Sequence, residues 1–202
     1  MHKSESKPRG RPRAFDREAA LAKATRLFWE KGYEATSISD LTEALGIGPT
    51  SLYAAFGSKE ALYSEALEHY ARTYDCFVWT RFRAAQTARD AIEAFLMDSA
   101  ASFTGCAADM PRGCMVTLSS VGSEGHEALG RLIHDAREEG RARLERRLRQ
   151  AVSEGELPEA TDVTALARFY QTVQSGMSLL ARDGAGRAEL EQVARLAMVR
   201  FS

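Results

Sequence analysis

Apolar side chains recur along the chain at a spacing near 3.6 residues, which is the period of an α-helix. Leu62, Ala66, Tyr70, Tyr74 and Phe77 show this spacing within one long segment. Glycine and proline separate such stripes, and no stretch of the sequence shows the two-residue alternation of a half-buried strand. The pattern therefore predicts an all-α chain of about nine helices.

Helix boundaries are marked most clearly in the N-terminal part. Asp16, Ser37 and Ser58 each stand just before an apolar stripe, where their side chains suit the N-cap position, and Gly48 stands before a proline that suits a first turn. Ser37 also begins the sequence SISD, which resembles a capping box with Asp in place of Glu. These signals predict helices over 17–31, 38–45, 49–56 and 59–82.

The signals after the fourth helix are weaker. A stripe from Ile92 to Cys106 predicts one helix, and the segment MPRGCMVTL restarts the chain after a loop. Ser123 is the expected cap of a highly charged helix. The last two helices are predicted over 162–181 and 188–200.

The turn at Gly46-Ile47-Gly48 joins two short helices, as in a helix-turn-helix, whose second helix enters the DNA major groove. Small residues open that second helix, so its backbone can come close to base edges, and Thr50 offers both a hydrogen bond and a methyl group. Tyr53 and Lys59 are placed for phosphate contacts. The predicted DNA-binding residues of this region are Thr36, Ser37, Gly48, Pro49, Thr50, Ser51, Tyr53 and Lys59.

Residues 15–67 resemble the N-terminal DNA-binding domain of the TetR/AcrR family of bacterial regulators. The matching residues form an ordered set along the region: Phe28, Gly32, Tyr33, Thr36, Ser37, Leu41, Gly46, Leu52, Tyr53, Phe56, Lys59 and Leu62. The resemblance implies repression of a gene that a small molecule relieves. It also implies a three-helix helix-turn-helix domain over 15–60 and a helical ligand-binding and dimerisation domain over 61–202. A basic flexible arm over 1–14, predicted from charge alone, precedes them.

The net charge of −1 hides an uneven distribution of charge. Residues 1–13 carry five basic side chains and one acidic one, whereas residues 14–60 carry five basic and seven acidic ones. A concentrated basic arm indicates a polyanion partner, and a solubilising tail is the alternative.

The second helix of the helix-turn-helix, predicted over 49–56, departs from the family pattern. The family often has Ser or Thr where Gly48 stands just before this helix. No Arg, Lys, Asn or Gln lies between Ile47 and Ser58, so bidentate contacts to bases are not available there. We therefore expect DNA shape and arginines inserted into a narrow minor groove to share in specificity. The arginines concerned are Arg9, Arg11 and Arg13.

The composition is that of a globular protein, with 45% apolar and 27% charged residues. No apolar run reaches the roughly 18 residues that a membrane-spanning helix needs, and the polar, basic N-terminus is unlike a secretory signal. The three cysteines lack a disulfide framework, which indicates a reducing compartment. We expect a cytoplasmic protein without a membrane segment, cofactor or metal site.

Aromatic and methionine residues behind the first domain predict an adaptable apolar pocket for an inducer, although such residues are also ordinary core. The predicted pocket residues are Phe82, Phe95, Phe103, Met110, Cys114, Met115, Phe169, Tyr170 and Met177. Apolar stripes on the last two helices predict that the protein forms a homodimer. A two-fold symmetric dimer is expected to bind a near-palindromic double-stranded DNA operator. The predicted interface residues are Leu166, Tyr170, Val173, Met177, Leu180, Leu190, Val193, Ala197 and Phe201.

Cys114 leaves three alternatives open. A position near a helix N-terminus and beside Arg112 would stabilise a thiolate, which favours a redox or electrophile sensor with Cys106 as resolving partner. Burial as a small apolar residue is the second interpretation. An enzyme with Cys114 as nucleophile and His126 as base is the third and most remote. A DNA-organising protein without an inducer is a further functional class.

Overall fold

The computed structural model describes residues 15–105 and 110–201, and all regular structure in them is helical. The nine α-helices of these residues are α1 (Arg17–Lys31), α2 (Ile38–Leu45), α3 (Pro49–Phe56), α4 (Lys59–Ala84), α5 (Ala88–Phe103), α6 (Met115–Leu118), α7 (Glu127–Ser153), α8 (Val163–Arg182) and α9 (Arg187–Met198). Short 3₁₀ helices cover Val121–Glu124 and Val199–Phe201. The prediction of an all-α chain is confirmed. Arg9, Arg11, Arg13 and Cys106 lie outside the described residues.

The N-terminal boundaries follow from the cap chemistry read in the sequence. The Asp16 carboxylate accepts hydrogen bonds from the backbone N–H groups of Glu18 and Ala19. The Ser37 hydroxyl accepts from the Asp40 N–H, and the Asp40 carboxylate accepts from the Ser37 N–H, which completes a capping box. These contacts satisfy N–H groups that have no partner within their own helices, so the helices begin where the caps stand.

The cap expected at Ser123 is wrong. A 3₁₀ turn occupies Val121–Glu124, and α7 begins only after His126. A side chain on Gly122 would place its Cβ 2.8 Å from the Cα of Gly130, so this turn packs its backbone directly against the first turns of α7. The close approach of the two glycines holds this turn against the beginning of α7.

Two clusters of buried side chains form the interior. The first cluster joins α1, α2 and α3 to the start of α4, and it also takes in Met115 and Ile133 from later segments. The second cluster lies between the end of α4 and helices α5, α7, α8 and α9. The α4 helix serves both, with Leu62 in the first cluster and Phe82 in the second. The domain boundary expected at residue 60 stays a prediction, since α4 crosses it without a break.

None of the described helices is long and apolar enough to cross a membrane.

Candidate nucleic-acid interface and internal cavity

The α3 helix is buried on one side and bare on the other. Leu52 is fully buried in the first core cluster, and Phe56 lies beside it with 4% of its surface exposed. The opposite side presents only small or hydroxylated side chains at the start of the helix, followed by a tyrosine that is 46% exposed. The exposed residues of this side are Gly48, Pro49, Thr50, Ser51, Tyr53 and Ala54.

Gly46 ends α2 with a left-handed backbone (φ 70°), which lets the chain turn sharply toward α3. The turn is therefore built as a helix-turn-helix, and it leaves the start of α3 free of covering side chains. This geometry suits close approach to a flat or grooved partner.

Ser37 is exposed beside this surface, but its hydroxyl and its backbone N–H already donate hydrogen bonds within the protein. Its hydroxyl donates to Asp40 Oδ2 (2.7 Å), and its backbone N–H donates to the same oxygen (2.8 Å). Lys31 donates to the other oxygen of Asp40 (2.7 Å). The bonds from Lys31 and then Ser37 hold the pKa of Asp40 well below its ordinary value. Ser37 thus acts as a helix cap, and its contact with DNA stays a prediction.

Thr36 does not belong to the exposed surface, which corrects the sequence prediction. Its side chain is fully buried, and its hydroxyl donates to the Gly32 carbonyl oxygen at 2.6 Å. A threonine in this position closes the turn between α1 and α2 from the inside. Thr36 therefore stabilises this turn and is not part of the exposed surface.

Lys59 lies at the first position of α4, with its ammonium 4.2 Å from the centre of the Tyr33 ring. Tyr33 is buried, and this burial raises its pKa to about 12, with further contributions from the Glu60 and Glu34 carboxylates. The ring therefore stays neutral and gives the ammonium an aromatic face to rest on. This aromatic contact orients the Lys59 side chain beside the exposed side of α3.

His126 joins this region to the start of α7, a link that sequence reasoning missed. Its Nε2 lies 2.7 Å from Glu34 and its Nδ1 3.0 Å from Glu60. The imidazole ring also meets the Tyr33 ring edge-on, with the ring centres 4.8 Å apart. The contacts depend on a residue far along the chain, so no local pattern could have disclosed them.

A cavity of about 790 Å³ lies between α4, α5, α7 and α8. Its wall is mixed: one part is aromatic, and about half of the lining residues are polar or charged. Its apolar residues belong to or pack against both core clusters. The principal aromatic residues of the wall are Tyr70, Tyr74, Trp79, Phe95 and Phe103.

Three of the predicted pocket residues line this cavity, namely Phe95, Phe103 and Cys114. The other six do not, because the helical stripes that predict them turn toward packed interior or toward solvent. Phe82, Tyr170 and Met177 are buried within the second cluster, Met115 and Met110 pack in or against the first, and Phe169 is 38% exposed. The α4 residues Tyr70 and Tyr74 were not predicted to line the cavity, although their spacing marked an inward face.

Two of the arginines on the cavity wall are paired with carboxylates of the same wall. Arg143 contacts Asp75 (2.5 Å) and Glu139 (3.1 Å), and its guanidinium also lies over the Trp79 ring. Arg168 on α8 bridges to Glu138 on α7 (3.0 Å). The wall thus combines an aromatic face with charges that already have partners.

Cys114 faces the cavity, and its sulfur accepts a hydrogen bond from the Tyr70 hydroxyl at 3.3 Å. Burial, followed by the neighbouring Cys114 sulfur, raises the pKa of Tyr70 well above its ordinary value, so this hydroxyl remains a donor. The sequence predicted that a helix N-terminus and the Arg112 guanidinium would stabilise a Cys114 thiolate. The structure does not provide this stabilisation. The α6 helix has only four residues, and Arg112 directs its guanidinium to carbonyl oxygens of Ala181 and Ala185.

The exposed apolar face of the last two helices differs from the predicted one. Leu180 is exposed as expected, but the most exposed residues are Leu196 (72%), Val199 (67%) and Leu179 (55%). Leu166, Val173 and Val193 are partly buried against the second core cluster. The interface prediction is wrong for five residues that lie in the interior of the single chain: Tyr170, Met177, Leu190, Ala197 and Phe201.

Comparisons with known proteins agree with this architecture. Residues 20–66 match the model of the bacterial regulatory proteins of the tetR family, and residues 85–196 match a tetracyclin repressor-like C-terminal domain. The HTH-type transcriptional repressors ComR and BdcR of Escherichia coli (strain K12) are 37% and 33% identical to the chain. The ComR alignment covers 93% of this chain and 90% of ComR, and the BdcR alignment covers 96% and 93%.

Among solved structures, a cysteine-substituted variant of the TetR family transcriptional regulator CifR is 40% identical and superposes with a TM-score of 0.86. The match covers 94% of this chain and 98% of CifR, which is complexed there with a 26-base-pair double-stranded operator DNA. Two family models and relatives matched over nearly their whole lengths leave one assignment. The chain belongs to the TetR family of bacterial regulatory proteins.

Proposed function

We propose that the protein is a cytoplasmic transcriptional repressor that binds a near-palindromic operator as a homodimer and is released by a small, uncharged apolar ligand. The exposed side of α3 is the main support for this proposal. Small side chains point to solvent there, whereas the other side of the helix packs in the first core cluster. ComR and BdcR, both HTH-type repressors, and CifR on its operator support the same function.

The recognition surface divides into two roles. Pro49, Thr50 and Ser51 face the bases, and Thr50 can offer its methyl to a thymine and its hydroxyl to an adjacent base. Tyr53 and Lys59 lie at the edge of this surface and bind phosphates. The basic arm adds minor-groove contacts beside each half-site, since α3 has no long side chain for reading bases.

The apolar face on α8 and α9 provides the dimer contact. Leu179, Leu180 and Leu196 lie exposed there, and Gly176 leaves open space beside them. A two-fold axis through this face would present two α3 helices to successive turns of the major groove.

The cavity binds the ligand. The aromatic part of its wall favours an apolar molecule, and its space of about 790 Å³ suits a drug-sized one. A charged ligand would have to compete with existing contacts, because Arg143 and Arg168 already face carboxylates and Arg137 donates to the Val116 and Ser119 carbonyl oxygens. The paired charges therefore favour an uncharged ligand.

The protein acts by binding and not by catalysis. The remote enzyme alternative required Cys114 beside His126, yet the sulfur pairs with Tyr70 while the imidazole lies between Glu34 and Glu60. The residues needed for nucleophilic catalysis are thus engaged with different partners.

DNA binding is tested with an operator that the wild-type protein selects from a random pool. Lys59→Ala and Tyr53→Phe should weaken binding to operator and random DNA about equally, with a salt slope lower by about 1 per lost Lys–phosphate contact in each half-site. Thr50→Ala should instead narrow the difference between the two DNAs. Arg195→Ala on α9 is the control. A changed sequence preference in Lys59→Ala with the wild-type salt slope would contradict these roles.

Two further measurements address the arm and the ligand. Deleting residues 1–13 should weaken binding most at operators flanked by A·T-rich sequence, and unchanged affinity at low salt would mean a solubilising tail. In a fluorescence screen, an apolar compound should release DNA without being turned over. If oxidant or an electrophile releases DNA and Cys114→Ser abolishes the response while Cys76→Ser does not, the thiol-sensing alternative holds.

A further inference from the structure

Arg182 is the last residue of α8, and its guanidinium reaches into the DNA-binding part of the chain. Its Nη1 donates to the Glu30 carbonyl oxygen (2.8 Å) and its Nη2 to the Trp29 carbonyl oxygen (2.7 Å). These carbonyls lie in the final turn of α1, where a helix leaves its last C=O groups without internal partners. One side chain thus completes the end of α1 from a distance of about 150 residues along the chain.

This contact is maintained at an electrostatic cost. Burial lowers the pKa of Arg182, and the Glu30 carboxylate opposes the shift. The Nε–H is also buried and has no acceptor among the residues that the structure describes. An apolar side chain would avoid both penalties, so packing alone does not explain an arginine here. The paired donation to two carbonyls is what an apolar residue could not supply.

The other side of the same α8 turn is held by the segment that borders the cavity. The Cys114 N–H donates to Ser178 Oγ (2.8 Å), and Arg112 Nε donates to the Ala181 carbonyl oxygen (2.7 Å). A Cβ on Gly113 would lie 2.8 Å from the Ser178 carbonyl oxygen, so the two backbones touch. The last turn of α8 is therefore clamped between the cavity border and α1.

Trp29 meets the cavity by a second route. Its ring packs edge-on against Tyr70 and Tyr74, with centre distances of 4.9 and 5.1 Å. Both tyrosines line the cavity, and the Tyr70 hydroxyl bonds to the sulfur of Cys114. The end of α1 is thus linked to the cavity through its indole ring and, by way of Arg182, through its carbonyl oxygens.

We propose that Arg182 is a positioning residue that transmits the state of the cavity to the DNA-binding helices by way of the last turn of α8 and the end of α1. A ligand that displaces Cys114 or Tyr70 shifts the α8 turn or Trp29, and the end of α1 moves with it. Because Phe28, Leu41 and Leu52 share one core cluster, α2 and α3 follow α1 as a unit. The role rests on the proposed ligand-controlled DNA binding.

Coupling between the two ends is testable without knowing the ligand. Ser178→Ala removes the acceptor on the cavity side, and Arg182→Met removes the donors on the α1 side. Hydrogen exchange is followed in peptides covering 28–36 and 112–118, and operator affinity is measured by fluorescence anisotropy. Arg195→Met is the matched control, since Arg195 is exposed on α9 and lies 3.8 Å from Glu191.

Ser178→Ala should speed exchange in 28–36 at least about fivefold, the lower end of common coupling strengths. In the Arg182→Met background the same substitution should have no further effect there, which a merely local structural role would not produce. Arg182→Met should also change operator affinity at least about fivefold while leaving the salt slope intact. Arg182→Lys should match Arg182→Met, since lysine keeps the charge but not the paired geometry.

Unchanged exchange in 28–36 for Ser178→Ala, or additive effects in the double variant, would overturn the relay. Wild-type operator affinity in Arg182→Met would overturn it as well. If the wild-type protein bound no operator at all, the proposed function would fail, whereas the exchange measurements would still decide whether the two ends are coupled.

Discussion

Gly113→Ala probes the contact that holds the cavity border against α8. The Gly113 backbone is left-handed (φ 79°), and an added Cβ would lie 2.6 Å from Leu118 Cδ1 and 2.8 Å from the Ser178 carbonyl oxygen. The left-handed backbone costs alanine about 1–2 kcal/mol. Forcing a carbon into a packed site costs a further ~1–3 kcal/mol. Together these terms predict a loss of about 2–5 kcal/mol in the free energy of unfolding.

Gly155→Ala separates the two contributions. Gly155 has nearly the same φ (77°), but nothing lies within 4 Å of the Cβ position. This variant should therefore lose only the conformational part, about 1–2 kcal/mol. Urea unfolding at equal protein concentration gives both values, with unchanged m confirming that the same transition is compared. Equal losses in the two variants would show that Gly113 is not in tight contact with α8 and would refute the reasoning.

Two further predictions concern the dimer and acid stability. Leu196→Glu places a charge at a side chain that is 72% exposed on the α8–α9 face and should give a monomer by light scattering, whereas Leu132→Glu on α7 should leave the dimer intact. Arg149 and then Thr164 lower the pKa of Glu145 to about 2, below the roughly 4.3 of an unfolded chain. Because the folded-state value is the lower one, this stabilisation is full above about pH 4.3 and is lost as pH falls toward 2. The melting-temperature difference between wild type and Glu145→Gln should thus be constant near neutrality and shrink below about pH 4; a constant difference down to pH 3 would contradict it.

Local chemistry made the N-terminal fold readable from sequence. A serine hydroxyl bonds an N–H three residues away, so Ser37 and Ser58 fix helix starts without help from the rest of the chain. Gly46 likewise ends α2 through its own backbone conformation. The exposed side of α3 followed from the same boundaries, because Leu52 and Phe56 set which side is buried.

The cavity and the dimer face were harder to predict for a physical reason. A stripe at helical spacing shows only that a face turns inward, and interior packing, cavity wall and subunit contact all need such a face. Tyr170 and Phe95 share this property, yet one is packed solid and the other borders open space. The distinction depends on how α4, α5, α7 and α8 are spaced, which no single stripe encodes. The same applies to His126 and Arg182, whose partners lie far away in sequence.

Thr36 is one of the residues that match the family pattern, and in this structure its role is structural. Its buried hydroxyl is the partner of the Gly32 carbonyl oxygen, which lies just beyond the end of α1. Thr36→Val would leave that oxygen unpaired, at a cost of about 1–3 kcal/mol. Thr25 is the matched control, because its buried hydroxyl bonds the Leu21 carbonyl oxygen, which already accepts the helical N–H of Thr25.

Thr25→Val should therefore cost less, about 0.5–1.5 kcal/mol in urea unfolding. Under conditions where both variants are folded, Thr36→Val should keep the wild-type salt slope for DNA binding, because a fully buried hydroxyl cannot reach a phosphate. If Thr36→Val instead kept wild-type stability but bound operator and random DNA more weakly, Thr36 would be part of the DNA interface. That result would also mean that the turn between α1 and α2 opens when DNA binds, since only then could this side chain become accessible.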